Sequence, residues 1–296
     1  MSEPRHEPVL ATEVVELLAP VNGGLFVDCT VGLGGHTRAL LDAGATKVLG
    51  LDRDQQALDI ARAALARFGD RVELVHADYR DLERVLDERS IDAVNGTLAD
   101  LGVSSMQLDA DGRGFSFRRD EPLDMRMDRS RGETAADLLR TAAEDDIANA
   151  IFQFGEERYS RRVARAIVNA RREQPITTTG QLAAIVRRAV PHRGYQRIDP
   201  ATRTFQGLRL WVNRELEGMD AFLTAAAGRL LRGARLAVIT FHSLEDRIVK
   251  HTFRALEKTG ESLRVLTKRP MLPSEQEIDR NPRSRSAKLR VIERYA

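Results

Sequence analysis

Residues 26–36 read F-V-D-C-T-V-G-L-G-G-H, an apolar run that closes on an acid, Asp28, and breaks into glycines before a helical segment. The apolar residues 25–27 suit a buried strand. Gly32, Gly34 and Gly35 let the backbone turn sharply and come close to a ligand where a Cβ would collide. Ligands of open α/β sheets sit at the carboxyl ends of the strands, so this stretch marks where a site is expected.

Outward from it, strand and helix patterns alternate. After a helix over 13–18 come a strand at 25–28, a helix at 37–41, a strand at 48–52 and a helix at 55–67. Strands at 72–76 and 91–98 follow, with a helix near 82–86 between them. This βαβ series predicts a parallel sheet with right-handed crossovers. The alternation stops after Asp100. Residues 101–131 form a long irregular stretch of the kind that is functional or marks a boundary. Helical patterns at 135–139, 145–154, 158–172 and 179–189 then succeed one another without a strand. A long helix over 204–231 leads to a buried strand at 235–241, a helix at 244–256, and a closing antiparallel pair at 263–267 and 288–292. The expected organisation is an α/β domain over 1–105 and 206–296, interrupted by a helical insertion over 106–205.

The 296 residues are 42% hydrophobic and 30% charged, a globular composition without low-complexity tracts. Residues 1–7 are polar and lack the apolar core of a signal peptide. No apolar run approaches the roughly 18 residues of a membrane-spanning helix, so no membrane association and a cytoplasmic location are expected. One cysteine, Cys29, excludes an internal disulfide, and six scattered histidines show no metal-ligand spacing, so no metal is expected. The net charge of +2 is small but unevenly spread: between Gly155 and Phe205 there are 11 arginines and 4 acids. Part of that excess follows from the chain's general preference for arginine over lysine.

Three sheet strands end in carboxylates, Asp28, Asp52 and Asp100, and on neighbouring strands all three would face one crevice. The glycine loop 30–36 contains no lysine or arginine. Such a site repels phosphate and favours a cationic ligand that carries a ribose. S-adenosylmethionine fits: it has a sulfonium and an ammonium, a ribose diol, and one carboxylate suited to a helix N-terminus. Asp52, about 18 residues after Gly34, is placed to accept from both ribose hydroxyls. A dinucleotide fingerprint would need a third glycine where Thr37 stands, and no P-loop G-K-[ST] follows. Asp100 ends an apolar strand, where a carboxylate is costly unless paired or used. The other residues have structural readings too. Cys29 is expected to be a small buried thiol, His36 to contact ligand or pack at the helix start, and Tyr79 to stack on adenine or pack at the sheet edge.

The blocks D-C-T-V-G-L-G-G-H-T (28–37), D-L-G-V-S-S-M-Q-L-D (100–109), R-G-F-S-F (113–117), P-L-D-M-R-M-D (122–128), G-E-E-R (155–158), R-E-Q-P (172–175), A-T-R-T-F-Q (201–206) and F-H-S-L-E-D-R (241–247) resemble the bacterial 16S rRNA (cytosine-N4)-methyltransferase family, also called RsmH or MraW. The likeness runs from His6 to Ser286. It implies a class I S-adenosylmethionine-dependent, Rossmann-like sheet interrupted by an all-helical domain. It implies methylation of the exocyclic amine of one decoding-region cytosine, numbered 1402 in 16S rRNA. The family's cofactor contacts fall on Gly34, Gly35, His36, Asp52, Tyr79, Asp100 and Gln107. Cys29 stands where relatives often have Gly or Ala, and Tyr79 where either kind of aromatic occurs.

For the chemistry, Asp100 is expected to accept from the N4 amine, helped by Ser104 or Ser105 and a loop carbonyl. The sequence here, D-L-G-V-S-S, differs from the [DNS]-P-P-[YF] of amino-methyltransferases at large. Phe115, Phe117, Phe241, His242 and Ser243 are candidates for the wall of a base pocket, with packing as the alternative. Arg158, Arg161, Arg162, Arg165 and Arg172 recur at helical spacing opposite Val163, Ile167 and Ala170. Arg187, Arg188, Arg193, Arg197 and Arg203, with Tyr195 and Phe205, form a second cluster suited to phosphate contact and stacking. The implied partner is 16S rRNA, in the 30S subunit or a late assembly intermediate; a homodimer is left open. Competing readings are a small-molecule methyltransferase, which would not need the basic insertion, and a non-catalytic assembly factor that keeps the cofactor fold. A nicotinamide oxidoreductase fails on Thr37 and on the missing phosphate partners.

Overall fold

The strands are β1 (Leu25–Asp28), β2 (Lys47–Asp52), β3 (Val72–His76), β4 (Val94–Asp100), β5 (Leu230–Thr240), β6 (Leu263–Val265) and β7 (Lys288–Arg294). They form one sheet in the order β3-β2-β1-β4-β5-β7-β6. β1 to β5 are parallel; β7 runs antiparallel to both β5 and β6. The computed structural model describes residues 8–191, 198–260 and 262–296. The chain divides into two compact units, Met1–Gly102 with Leu216–Ala296, and Val103–Glu215.

The sheet unit is built on period-two burial. Phe26 packs into the core on one face and Val27 into the core on the other; along β5, Leu236 and Val238 join Val27, whereas Ala237 and Ile239 join Phe26. Both faces are covered, so the central strands read as continuous apolar runs. Strand order reverses about β1, with β2 on one side and β4 on the other. A crevice opens at such a switch point, and it puts the ends of β1, β2 and β4 side by side.

The second unit packs helices Glu144–Gln153, Ser160–Glu173, Thr179–Ala189 and Ala201–Asn213 around Ile147, Ile151, Val163, Ile167, Leu182 and Val186. The irregular stretch after Asp100 is part of that core. Leu123, Met125 and Met127 are buried in it, and Arg113, 1% exposed, donates to the carbonyls of Arg126 and Met127. The expected long helix over 204–231 is broken. Arg214 takes the left-handed conformation (φ 49°) after Asn213, and a separate helix, Met219–Gly228, begins behind Gly218. β5 consequently starts at Leu230, earlier than its apolar pattern predicts.

Candidate active site

The turn after β1 is held from inside. Asp28 is fully buried, and its carboxylate accepts from the Thr37 hydroxyl at 2.7 Å and the Thr30 N–H at 3.2 Å. Burial pushes this carboxyl above its usual range, against the opposing pull of His36 and of these hydrogen bonds. Asp28 therefore does not face the crevice, contrary to expectation; it clamps the loop to helix Gly35–Asp42. Cys29 is buried as well, and burial beside Asp28 pushes its thiol well up, which keeps it inert.

Two glycines shape the loop. Gly34 caps the helix at φ +84°, and a Cβ there would lie 2.9 Å from Leu65 Cδ1. Gly32, at φ +52°, donates its N–H to Asp52 Oδ2 at 2.7 Å, and a Cβ there would meet nothing within 4 Å. The other oxygen of Asp52 accepts from the Asp54 N–H at 2.8 Å. Two backbone donors thus orient the carboxylate, and each oxygen keeps a lone pair. Desolvation pushes Asp52 up to about 6 despite those bonds.

Tyr79 follows soon after Ala77, whose N–H donates to the Asp52 carbonyl. Its ring is 7% exposed and packs at 4.7 Å and 60° against Phe222. Two guanidiniums nearby are both held by one buried carboxylate. Asp78 pairs with Arg80 at 2.7 Å and with Arg53 at 3.5 Å. Burial would raise the Asp78 carboxyl, but the two arginines hold it below the usual range.

His36, in the first turn of the helix, places Nε2 3.5 Å from Asp100 Oδ2. Asp100 is fixed through its own N–H, which donates to Thr30 Oγ1 at 2.6 Å. Burial works to lower the imidazole pKa; Asp100, Asp28 and Glu277 outweigh it and raise it. Among the described residues neither ring nitrogen of His36 has a hydrogen-bond partner, nor does Asp100 Oδ1, although all three atoms are buried. Buried polar atoms left in this state are the places a ligand would satisfy. With Asp52 and Asp100 at the neighbouring strand ends, they fit a positively charged ligand that bears donors.

Ser104, Ser105 and Gln107 belong to the helical unit. Ser104 caps helix Ser105–Asp109: its hydroxyl accepts from the Gln107 N–H at 3.2 Å, and Gln107 Oε1 accepts from the Ser104 N–H at 3.0 Å. Both side chains thus have a structural task that the sequence reading did not give them. The proposed base-pocket aromatics are packing residues. Phe115 is buried in the helical core, Phe117 packs edge-on to Phe205 at 4.8 Å, and Phe241 is half-buried in the sheet core. His242 caps helix Ser243–Lys258 in a reciprocal box with Glu245. Phe205, 4% exposed, is therefore no stacking platform.

The arginine stripe is exposed, with Val163 and Ile167 buried opposite it. Arg165 pairs with Glu144 and Arg158 lies over the Tyr159 ring, while Arg161, Arg162 and Arg172 have no ionic partner among the described residues. In the second cluster Arg187 is neutralised by Asp199 at 2.8 Å, and Arg188 and Arg203 are exposed. Arg193, Tyr195 and Arg197 lie outside the described residues. The sequence reading missed Thr30, Thr37, Asp78 and Glu277. A threonine hydroxyl directly after D-C, and another in the first turn after G-G-H, were the available signals for the first two.

A doubly wound sheet with an antiparallel β7, and a glycine turn that offers acids but no free cation, define a Rossmann-like S-adenosylmethionine-dependent methyltransferase. A family model described as the MraW methylase family matches residues 3–295. Among relatives, the ribosomal RNA small subunit methyltransferase H of Sorangium cellulosum is 51% identical over 290 residues, covering 98% of this chain and 91% of that one. The proteins of the same name from Nitrobacter hamburgensis (50% over 305 residues, 99% and 91% covered) and Geotalea uraniireducens (47% over 311 residues, 99% and 100%) are similar throughout. An rRNA methylase structure from Streptococcus thermophilus aligns over 100% of this chain and 99% of that one at a TM-score of 0.44 and 13% identity. The chain belongs to the MraW methylase family, and its methyl donor is S-adenosylmethionine.

Proposed function

We propose that the protein methylates the exocyclic N4 of one cytosine, position 1402, in the decoding region of 16S rRNA, acting in the cytoplasm on the 30S subunit or a late assembly intermediate. The observation that carries this reading is the family match over 3–295, joined to the unsatisfied buried atoms of His36 and Asp100 at the end of β4.

S-adenosylmethionine supplies an electrophilic methyl group. Asp52 accepts from the ribose hydroxyls with the lone pairs left by its backbone bonds. Gly34, Gly35 and His36 would hold the amino-acid end and Tyr79 would stack on the adenine, with Gln107 a further contact carried over from the resemblance. Cytosine N4 is a poor nucleophile because its lone pair is delocalised into the ring. A fixed acceptor that withdraws its N–H stabilises the charge building on nitrogen. Asp100 takes that role, helped by Ser104 or Ser105 and a loop carbonyl, and the proton is then lost to water. Arg161, Arg162, Arg172 and Arg188 supply phosphate contacts.

The test is incubation with labelled S-adenosylmethionine and 30S subunits from a strain lacking its own enzyme, followed by mass-spectrometric mapping. A methyl on N4 of the single cytosine is expected; a methyl on another base or on a small molecule overturns the reading. Asp100→Ala abolishes transfer, and near wild-type turnover at saturating cofactor would remove Asp100 from its role.

A further inference from the structure

Helix Ser243–Lys258 packs against β6 and β7 and leaves a cleft of about 190 Å³. Lys250 and Arg254, one helical turn apart, share a wall with Phe253; Lys268 and Arg290 face them from the loop after β6 and from β7. Arg290 is 5% exposed and is fixed by Asp246, to which Nε donates at 2.6 Å and Nη2 at 3.3 Å. Lys250, Arg254 and Lys268 make no ion pair among the described residues. Glu257 is the acid in the lining, and it accepts from the Val265 N–H at 2.9 Å. Thr267 accepts from the Val291 N–H at 2.8 Å, so its hydroxyl hydrogen is left to donate. Lys288 shares Asp246 with Arg290, so the surroundings keep three positive charges in excess. Fixed donors, uncompensated cations and the apolar Phe253 and Val265 suit a phosphate ester with its sugar.

We propose that this cleft is a second contact for the RNA backbone, binding a phosphodiester group away from the methyl-transfer site. Arg254 lies 11 residues beyond the helix start at the carboxyl end of β5, about 16 Å along its axis. The cleft is therefore separate from the cofactor crevice and acts on affinity. This inference rests on the reading of the substrate as rRNA.

The experiment measures binding of an rRNA fragment and of 30S subunits between 50 and 200 mM salt, for wild type and for the triple variant Lys250→Ala, Arg254→Ala, Lys268→Ala. Each phosphate contact with single-stranded RNA contributes about 0.7 to the slope of log affinity against log salt, so the triple variant, which gives up the one phosphodiester held in the cleft, has a slope smaller by about 0.7 and binds roughly fivefold more weakly near 0.1 M salt. Unchanged S-adenosylhomocysteine affinity shows that the fold is intact. A triple variant that binds RNA with wild-type affinity and slope overturns the cleft alone. Wild type without salt-dependent RNA binding overturns the rRNA reading and the cleft with it. Inorganic phosphate is titrated in parallel. If it binds the wild-type cleft while RNA affinity does not depend on the three residues, the site takes free anion only and the proposal fails.

Discussion

Asp52 gives the cofactor site a measurable pH dependence. Its carboxyl is pushed up to about 6 by desolvation, and both oxygens already accept a backbone N–H. Only the ionised form can also accept from two ribose hydroxyls, because a proton on either oxygen occupies the lone pair the ribose needs. With a pKa near 6, roughly nine tenths of the sites are ionised at pH 7 and roughly one tenth at pH 5. The dissociation constant for S-adenosylhomocysteine therefore rises roughly tenfold over that interval, read by calorimetry. The imidazole of His36 has its own transition above 6.5, so its effect falls in a higher window. Asp52→Asn separates the two. It weakens binding by about 1.5–3 kcal/mol through loss of charge-assisted hydrogen bonds and removes the limb near pH 6. The stability of the ligand-free protein moves correspondingly. A carboxyl whose folded pKa is raised above 3.8 favours the fold below that value, and the advantage, at most about 3 kcal/mol, is lost as pH climbs to about 6. Wild-type affinity that stays flat between pH 5 and 7 would refute this account of Asp52.

Thr37→Val keeps the shape but strips Asp28 of its 2.7 Å donor in a fully buried site, so urea denaturation should show a loss of about 2 kcal/mol; a loss under about 0.5 kcal/mol would mean that the clamp is not needed. Gly34→Ala forces a Cβ into the left-handed region against Leu65, at a cost of about 1–2 kcal/mol before any repacking, and should weaken S-adenosylhomocysteine binding by displacing the helix start. In the helical unit, Arg209→Ala removes the two hydrogen bonds that Arg209 gives to Glu215, which is 4% exposed, and should cost about 3 kcal/mol in urea denaturation. Arg165→Ala, which breaks the exposed pair with Glu144, should cost under about 1 kcal/mol by the same urea denaturation.

The parallel sheet was legible because its central strands are buried on both faces, so 25–28 and 48–52 appear as short apolar runs bounded by acids and glycines, while the partly buried edge strand 72–76 alternates Val72, Leu74 with Glu73. The helix Thr179–Ala189 was legible to the residue, since T-T-G-Q carries its own capping box. What period analysis missed depends on single backbone conformations. Nothing in the helical propensities of 204–231 reveals that Arg214 turns left-handed, with Glu215 taken up by Arg209. The stretch after Asp100 read as an irregular functional or boundary segment because its apolar residues, Leu123, Met125 and Met127, follow no helical or strand period, yet they are core. In the site, residue type showed which groups were charged but not which were already satisfied. Asp28 and Asp52 look alike in sequence; only the contacts of Thr30, Thr37, Gly32 and Asp54 tell a clamp from a ligand-facing acid.

That distinction alters how the glycine loop works. Three acids were expected to set the site's charge together, but Asp28 acts through geometry. By holding Thr37 and the Thr30 N–H it fixes both ends of the turn, and Thr30 in turn takes the N–H of Asp100. One buried carboxylate on β1 thus sets the position of His36 on the helix and the start of the loop that leaves β4. The 3.5 Å approach of His36 to Asp100 is a consequence, since neither side chain has another described hydrogen bond to hold it there. The acids that face the expected cationic ligand are then Asp52 and Asp100, while Asp78 holds Arg53 and Arg80 in ion pairs beside them.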